Sequence, residues 1–546
     1  MKLSAIIATI LSWFALVFII SWISGRKSDN STFFSGKRNQ PWYIVAFAMI
    51  GSAMSGVTFV SVPGMVAASA FGYMQMALGF IAGQAVIAFV LVPLFYRMNV
   101  ISIYSYLEQR FGLSSYRTGA WCFFISKLLG AAVRLFLVCI SLQLMLFGPL
   151  GLPFVLNVAV CIAVLLLYTY RGGVKSVIWI DFLKTICMVS AIVLSIVFIA
   201  RASGLELGSL CRGIRDSGMS RMFYFDDPKH PQYFFKQFFG GLFTVVAMTG
   251  LDQDMMQRSL ACRNFRDAQK NVITSSLLQT VVIFLFLVLG VLLYDFAGAN
   301  GIEAAGDSLF PAVATSGKLP IVVGVFFVAG LIACSYAAGG SALTALTTSF
   351  TLDILHADLK GEEKLSKTRK TVHIAMALAL GATIVIFNYL NNTSAIDAVY
   401  KLASYTYGPI LGMFAFGILT RRQVRDRLVP VVAITAPALC LVLVQRISVQ
   451  LRTAYCQCLA YLPRTYRLFF GSKEVSVQRA LTVWPPTLKR KSPSSSTHSS
   501  STPTKPSLEA GISNSTQRVS PGCSSTLVNS RRRRTSGDME ATRSLE

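Results

Sequence analysis

Arg134 stands near the middle of a long apolar run, in Ala132–Val133–Arg134–Leu135–Phe136, and Lys127 lies about two helical turns earlier on the same face. A guanidinium there is costly unless it faces a polar cavity or has a partner. Its planar fork can grip a carboxylate through two hydrogen bonds. The competing role is an ion pair with a buried acid. Asp181 is one such acid, a turn or two inside another apolar run, in Ser176–Val177–Ile178–Trp179–Ile180–Asp181–Phe182. It is either a functional carboxylate at membrane depth or an interfacial charge at a helix end. A third group is made of backbone. The run Gly51–Ser52–Ala53–Met54–Ser55–Gly56–Val57–Thr58, then Pro63–Gly64, interrupts an apolar segment with small residues and a proline. Such a stretch either unwinds and turns freed carbonyls toward a cavity, or forms a tightly packed, kinked helix. The fourth group, Asp252, Asp254 and Arg258 within Met248–Arg258, closes another apolar run at the cytoplasmic rim. It reads as a loop anchor or gate, or as a solvated helix end.

This is chemistry of binding rather than of bond-making. The chain has no phosphate-binding loop, no metalloprotease motif and no hydrolase elbow, so a pump or a membrane enzyme has little support. Four histidines make a histidine-based metal site improbable, and the eleven cysteines are scattered mostly through apolar runs without paired spacing. The net charge of +26 lies in short loops and in the tail beyond 445, including Arg531–Arg534. Basic loops beside membrane spans report topology, so no nucleic-acid partner is expected.

The elements that must position these residues are about twelve apolar helices in series. Hydrophobic residues make up 54% of the chain and charged ones only 14%. A span of about 20 apolar residues crosses a bilayer, so the fold class is an all-α polytopic membrane protein with the lipid bilayer as partner. The helices are placed at 3–24, 42–70, 73–97, 117–147, 153–170, 174–202, 234–258, 272–296, 319–355, 372–390, 396–420 and 428–444. Leu3–Ile23 lacks a small-residue cleavage site and reads as a retained lead helix rather than a signal. Loops carrying Arg26, Lys27, Lys37, Arg38, Arg97, Arg110, Arg171, Lys175, Arg263, Arg266, Lys364, Lys367 and Arg421 alternate with loops at 148–152, 297–318 and 391–395 almost free of Lys and Arg. The basic set is therefore cytoplasmic and the N-terminus lies outside.

The organisation is a lead helix and loop at 1–41, five helices over 42–202, an extracellular loop at 203–233, five more helices over 234–420, and a partial helix at 421–444. An odd number of spans per half inverts the second half relative to the first, and transporters built this way bind solute near the midplane. Beyond 445 the apolar periodicity stops within a helix. The Ser-, Thr-, Arg- and Pro-rich stretch 445–546 reads as a disordered basic tail or as translation in a shifted frame.

Taken together, these segments resemble the sodium/solute symporter family, with its leucine-transporter (LeuT) type 5+5 inverted repeat and an extra N-terminal helix. The matching residues run in order over about 1–444. They are Ser55–Gly56 with Pro63–Gly64, Leu107–Glu108–Gln109–Arg110–Phe111–Gly112, Gly172–Gly173 with Trp179 and Asp181, the 250–258 run, and Asp267–Ala268–Gln269–Lys270. Ser341–Ala342–Leu343–Thr344 ahead of Asp353 and Tyr405–Thr406–Tyr407–Gly408–Pro409 follow. The 250–270 run is most similar to symporters of Bacteroidetes-type bacteria, which implies a multi-pass protein of a bacterial inner (plasma) membrane.

The resemblance implies sodium as coupling ion. In that family one sodium sits on backbone carbonyls of the broken first core helix and on the eighth, which here gives Gly51 and Met54 with Cys334, Ala337 and Ala338. A second, in some members, uses the acid matching Asp181 and the helix near Ser341. The solute would lie against Thr58, Gln75, Gln84 and Arg134, the arginine being similar to one that grips a carboxylate in sialic-acid carriers; an amino acid or a sugar is the other implied cargo. This chain also departs from the family. Ala337–Ala338–Gly339–Gly340–Ser341 replaces a hydroxyl-rich stretch and leaves glycine at the acid position, Ile180 stands where Thr is usual, and Lys184 stands for a usual Gln. The expectation is sodium-coupled symport of a small organic solute with a partly degraded sodium site. The alternatives are a proton-coupled or uncoupled carrier, or a transport-fold sensor; against the sensor, no appended signalling domain is visible.

Overall fold

Apolar sequence runs become helices of bilayer length, and two of them break where the sequence supplies a new helix start. In the computed structural model, described over residues 3–446 apart from 27–28, 149, 171, 205 and 391–405, the described residues form no named strand. The expected tail at 445–546 and the start of the 396–420 helix lie, but for 445–446 and 406 onward, outside the described residues.

The main helices are α1 (Leu3–Gly25), α2 (Trp42–Ala53), α3 (Gly56–Gly64), α4 (Tyr73–Val86, helical on to Arg97), α5 (Leu113–Leu142), α6 (Phe154–Thr169) and α7 (Gly173–Ala202). They continue as α8 (Phe234–Val245), α9 (Gln253–Ser259), α10 (Phe265–Ala299), α11 (Ile321–Ser349), α12 (Glu362–Leu390), α13 (Tyr407–Leu419) and α14 (Val429–Arg446). Among the described residues, seven helices are long and apolar enough to cross a membrane, and α2 with α3 and α8 with α9 form two more spans if each bent pair counts as one. α6 and α13 are shorter apolar helices.

Several helices overrun their apolar segments, for local reasons. α10 starts at 265 rather than 272 because Asn264 caps it, accepting from the Asp267 N–H at 2.8 Å, and its polar first turns extend beyond the apolar part. α12 starts ten residues early on a polar turn laced by Lys367 and Glu363, 2.7 Å apart at (i, i+4).

Close packing fixes the helix positions. α4 presents Gly79 and Gly83 to α8: a Cβ on Gly79 would lie 2.1 Å from the Phe238 carbonyl oxygen, and one on Gly83 2.2 Å from Val245 Cγ1. Small residues four apart let the two backbones meet, as membrane helix pairs require. At the centre α7 packs against α11, α2 and α10. Around α3, Phe59 meets Phe286, Phe310 and Phe327 in one aromatic cluster.

The start of α5 is capped from far along the chain. Gly112, at φ 139°, offers no cap of its own, and the Asp426 carboxylate accepts from the N–H groups of Ser114 (2.8 Å) and Ser115 (2.7 Å) and from Ser115 Oγ (2.6 Å). Burial alone would raise this carboxyl, but those hydrogen bonds from Ser115 and Ser114 hold it below its ordinary range. A depressed carboxyl stabilises the fold above the unfolded-state value of about 4 and loses that contribution as pH falls through the folded value. Asp426→Ala is expected to cost about 1–2 kcal/mol at neutral pH, read as a lower thermal midpoint in detergent. It should also remove that share of the acid sensitivity below about pH 4.

Candidate functional site

The first break lies at Met54–Ser55, within the run of small residues and ahead of Pro63. The Met54 N–H still reaches the Ile50 carbonyl at 3.1 Å, but the next N–H, of Ser55, turns to Thr58 Oγ1 at 3.4 Å. Ser55 Oγ accepts from the Thr58 N–H at 3.3 Å, so a reciprocal cap opens α3 and the axis turns by 66°. Pro63 sits late in α3, where it coexists with the helix. Thr58, expected against solute, is half-buried and serves this cap.

A second break, which sequence reasoning missed, separates α8 from α9. After a widened turn at Val246–Gly250, Asp252 takes an extended backbone and caps α9, accepting from the Met255 N–H at 3.2 Å, with a bend of 74°. The available signal was an Asp after Gly250, at the N-cap position of a short polar helix.

The bend turns the polar face of α9 inward. Asp252, Asp254 and Arg258, whose alternative reading was a solvated helix end, are 2%, 7% and 1% exposed. Lys127 lies 3.1 Å from Asp252 and 2.7 Å from Asp254; Arg258 lies 2.7 Å from Asp254 and 3.4 Å from Asp181. Tyr407 on α13 donates to Asp252 at 2.5 Å, and Ser52 on α2 donates to Asp181 at 2.7 Å. One buried network thus ties α9 to α2, α5, α7 and α13. The pairing of Arg134 with Asp181, left open by the sequence, does not form; Arg258 takes that place.

Arg134 instead lines a small polar cavity with Ser52, Lys127, Asp254 and Ser341, walled by Ala131, Met255 and Ala342. Its Nε donates to the Gly130 carbonyl at 3.1 Å, and among the described residues it forms no ion pair. Gln75 is bound elsewhere: its Nε2 donates to the Gln232 carbonyl at 2.8 Å and its Oε1 accepts from the Tyr224 N–H, so it fastens the segment between α7 and α8. Gln84 is buried with Oε1 unpartnered, and it is not among the residues lining that cavity.

The residues expected at sodium give a divided answer. Asp181 Oδ1 is buried and has no partner, close to the hydroxyl of Ser52, which shares the cavity with Ser341; this oxygen-rich end suits a hard cation. The end at Gly51, Met54 and Cys334 is different. A Cβ on Gly51 would lie 2.5 Å from Thr185 Oγ1 and 3.5 Å from Lys184 Cδ, so α7 presses against α2 there and lays the Lys184 chain beside the break. At Gly340, where the resemblance places an acid, a Cβ would fall 1.9 Å from the hydroxyl of Tyr168, which donates to the Tyr336 carbonyl at 3.0 Å. The tyrosine has filled the space of the missing side chain. The side chains of Ala337 and Ala338 lie outside the described residues.

The sodium:solute symporter family model matches residues 33–426 of the chain. The chain belongs to the sodium:solute symporter family. It is therefore a multi-pass membrane protein that works by sodium-coupled solute symport, and not an enzyme. A sodium/sialic acid symporter of Aliivibrio fischeri is 25% identical, over 78% of this chain and 85% of its own length. The sodium/iodide cotransporter of Homo sapiens is 24% identical over 74% of this chain and 65% of its own. A solved sodium-coupled sialic acid symporter, substrate-bound and outward-open, superposes with a TM-score of 0.73 at 18% identity, over 86% of this chain and 99% of that one. That likeness gives the symporter its fold, the LeuT-type helical bundle.

Proposed function

We propose that this symporter carries a small organic anion, a carboxylate such as sialic acid, gripped by Arg134 and driven by sodium across a bacterial inner membrane. The observation that carries the reading is the unequal pairing of the buried charges. Asp181, Asp252 and Asp254 each have Lys127 or Arg258 within ion-pair distance, whereas Arg134 faces the cavity with no carboxylate at that range among the described residues. A guanidinium so placed suits a solute carboxylate, because its two parallel donors match the two oxygens. The sialic acid symporter of Aliivibrio fischeri supports that class, and the basic loops support a cytoplasmic face opposite the loop at 148–152. Asp181, Ser52 and Ser341 would hold the sodium ion, which supplies the driving gradient. Lys127 and Arg258 keep the neighbouring carboxylates occupied, so that these do not compete for Arg134.

The test is uptake of radiolabelled sialic acid, with monocarboxylates, amino acids and neutral sugars, into proteoliposomes with and without an inward sodium gradient. Accumulation of a carboxylate above equilibrium, only with the gradient, is the expected result. Accumulation of a neutral sugar alone would overturn the carboxylate, and equal uptake without sodium would favour an uncoupled carrier.

A further inference from the structure

Lys184 is a lysine with no exposed surface and no hydrogen-bond partner for its Nζ. Such a group calls for an explanation, since a buried ammonium without compensation is among the most costly arrangements in a protein. Its chain lies against Gly51, at the end of α2 where the hydrogen-bond ladder stops. Asp181 precedes Lys184 by three residues on the same helix.

The charge count shows what the lysine does. Without it, Lys127, Arg134 and Arg258 balance Asp181, Asp252 and Asp254, and an anionic solute entering that core would need a cation to enter with it. Lys184 adds one positive charge from within the chain. We infer that the Lys184 ammonium is a tethered cation that takes the place of one coupling ion at the α2 break, so that this symporter binds one sodium fewer than it would with a neutral residue there. The inference rests on the anionic-solute reading above. A mobile cation at the break would meet a fixed like charge in a poorly screened interior, which lowers its affinity by about 100-fold or more. While the lysine is protonated, solute affinity at this end does not depend on the concentration of an ion.

The test is binding of radioactive sodium to the purified full chain in detergent, at equilibrium and without solute, for the wild type, Lys184→Gln and Lys184→Met. Both variants remove the charge and keep most of the length. The expected result is a rise of about one bound sodium per chain in both variants over the wild type, at millimolar sodium. A wild type binding none, with variants binding about one, keeps the assignment of Lys184 and overturns sodium coupling of the wild type. Equal sodium binding in the wild type and folded variants overturns the assignment of Lys184, whatever the common number. Should neither variant fold, a wild type that binds two sodium ions overturns the assignment and a wild type that binds one upholds it.

Discussion

Arg258→Ala is expected to lower the stability of the helical core by about 3–5 kcal/mol, the cost of leaving a buried ion pair half-made. Arg258 is 1% exposed and is shared between Asp254 and Asp181. Removing it takes from Asp181 its ion-pair partner and leaves it the Ser52 hydroxyl as hydrogen-bond donor, and it leaves Asp254 to Lys127 alone. The loss is one of uncompensated charge more than of packing, and that makes it separable. Arg258→Leu combined with Asp181→Asn removes both ends of the longer pair while Asp254 keeps Lys127. This double variant should regain at least about half of the loss, because replacing a buried pair by neutral groups is often close to neutral. Thermal unfolding of the purified protein in detergent, followed by intrinsic fluorescence, decides the matter. An unchanged midpoint for Arg258→Ala would mean that the network is not holding α9 in place. A double variant as unstable as the single one would point to the volume of the arginine instead.

That the same residues first read as a rim shows where sequence reasoning stops. Apolar runs of bilayer length are a signal summed over about 20 residues, so the helices, their order and the family were all legible. Arg134 and Lys127 were legible for a related reason: a charge inside such a run must face something polar, and residues two turns apart share a face. Asp252, Asp254 and Arg258 stand at the end of a run, where a charge costs nothing if the helix continues straight into water. Only the bend after Gly250 turns them inward, and a bend depends on one cap, a signal one residue wide. Gln75 failed for the opposite reason. Its position pointed to the cavity, but its partners Gln232 and Tyr224 come from a connecting segment about 150 residues away, and sequence carries no trace of that pairing. Lys184 and Gly340 stood out as departures from a familiar pattern, yet their consequences needed coordinates. One lies against Gly51, and the other makes room for the hydroxyl of Tyr168.

Arg134→Lys is expected to reduce kcat/KM for uptake of the carboxylate by about 100-fold while leaving the fold nearly untouched. A loss of about 2.7 kcal/mol corresponds to that factor, and it is the scale of giving up a two-pronged charged contact for a single point charge. Arg134→Gln should lose more, because it removes the charge as well. Neither variant should move the thermal midpoint far. Arg134 has no ion pair among the described residues, and its hydrogen bond to the Gly130 carbonyl stays within its own helix. This separates Arg134 from Arg258, where activity and stability should fall together. Retention of a positive charge in Arg134→Lys also separates recognition of shape from recognition of charge. If Lys restores full uptake and Gln abolishes it, Arg134 acts only through its field. If both variants transport the carboxylate as the wild type does, the solute does not meet Arg134, and the cavity beside Ser52 and Ser341 is no longer the place to look for it.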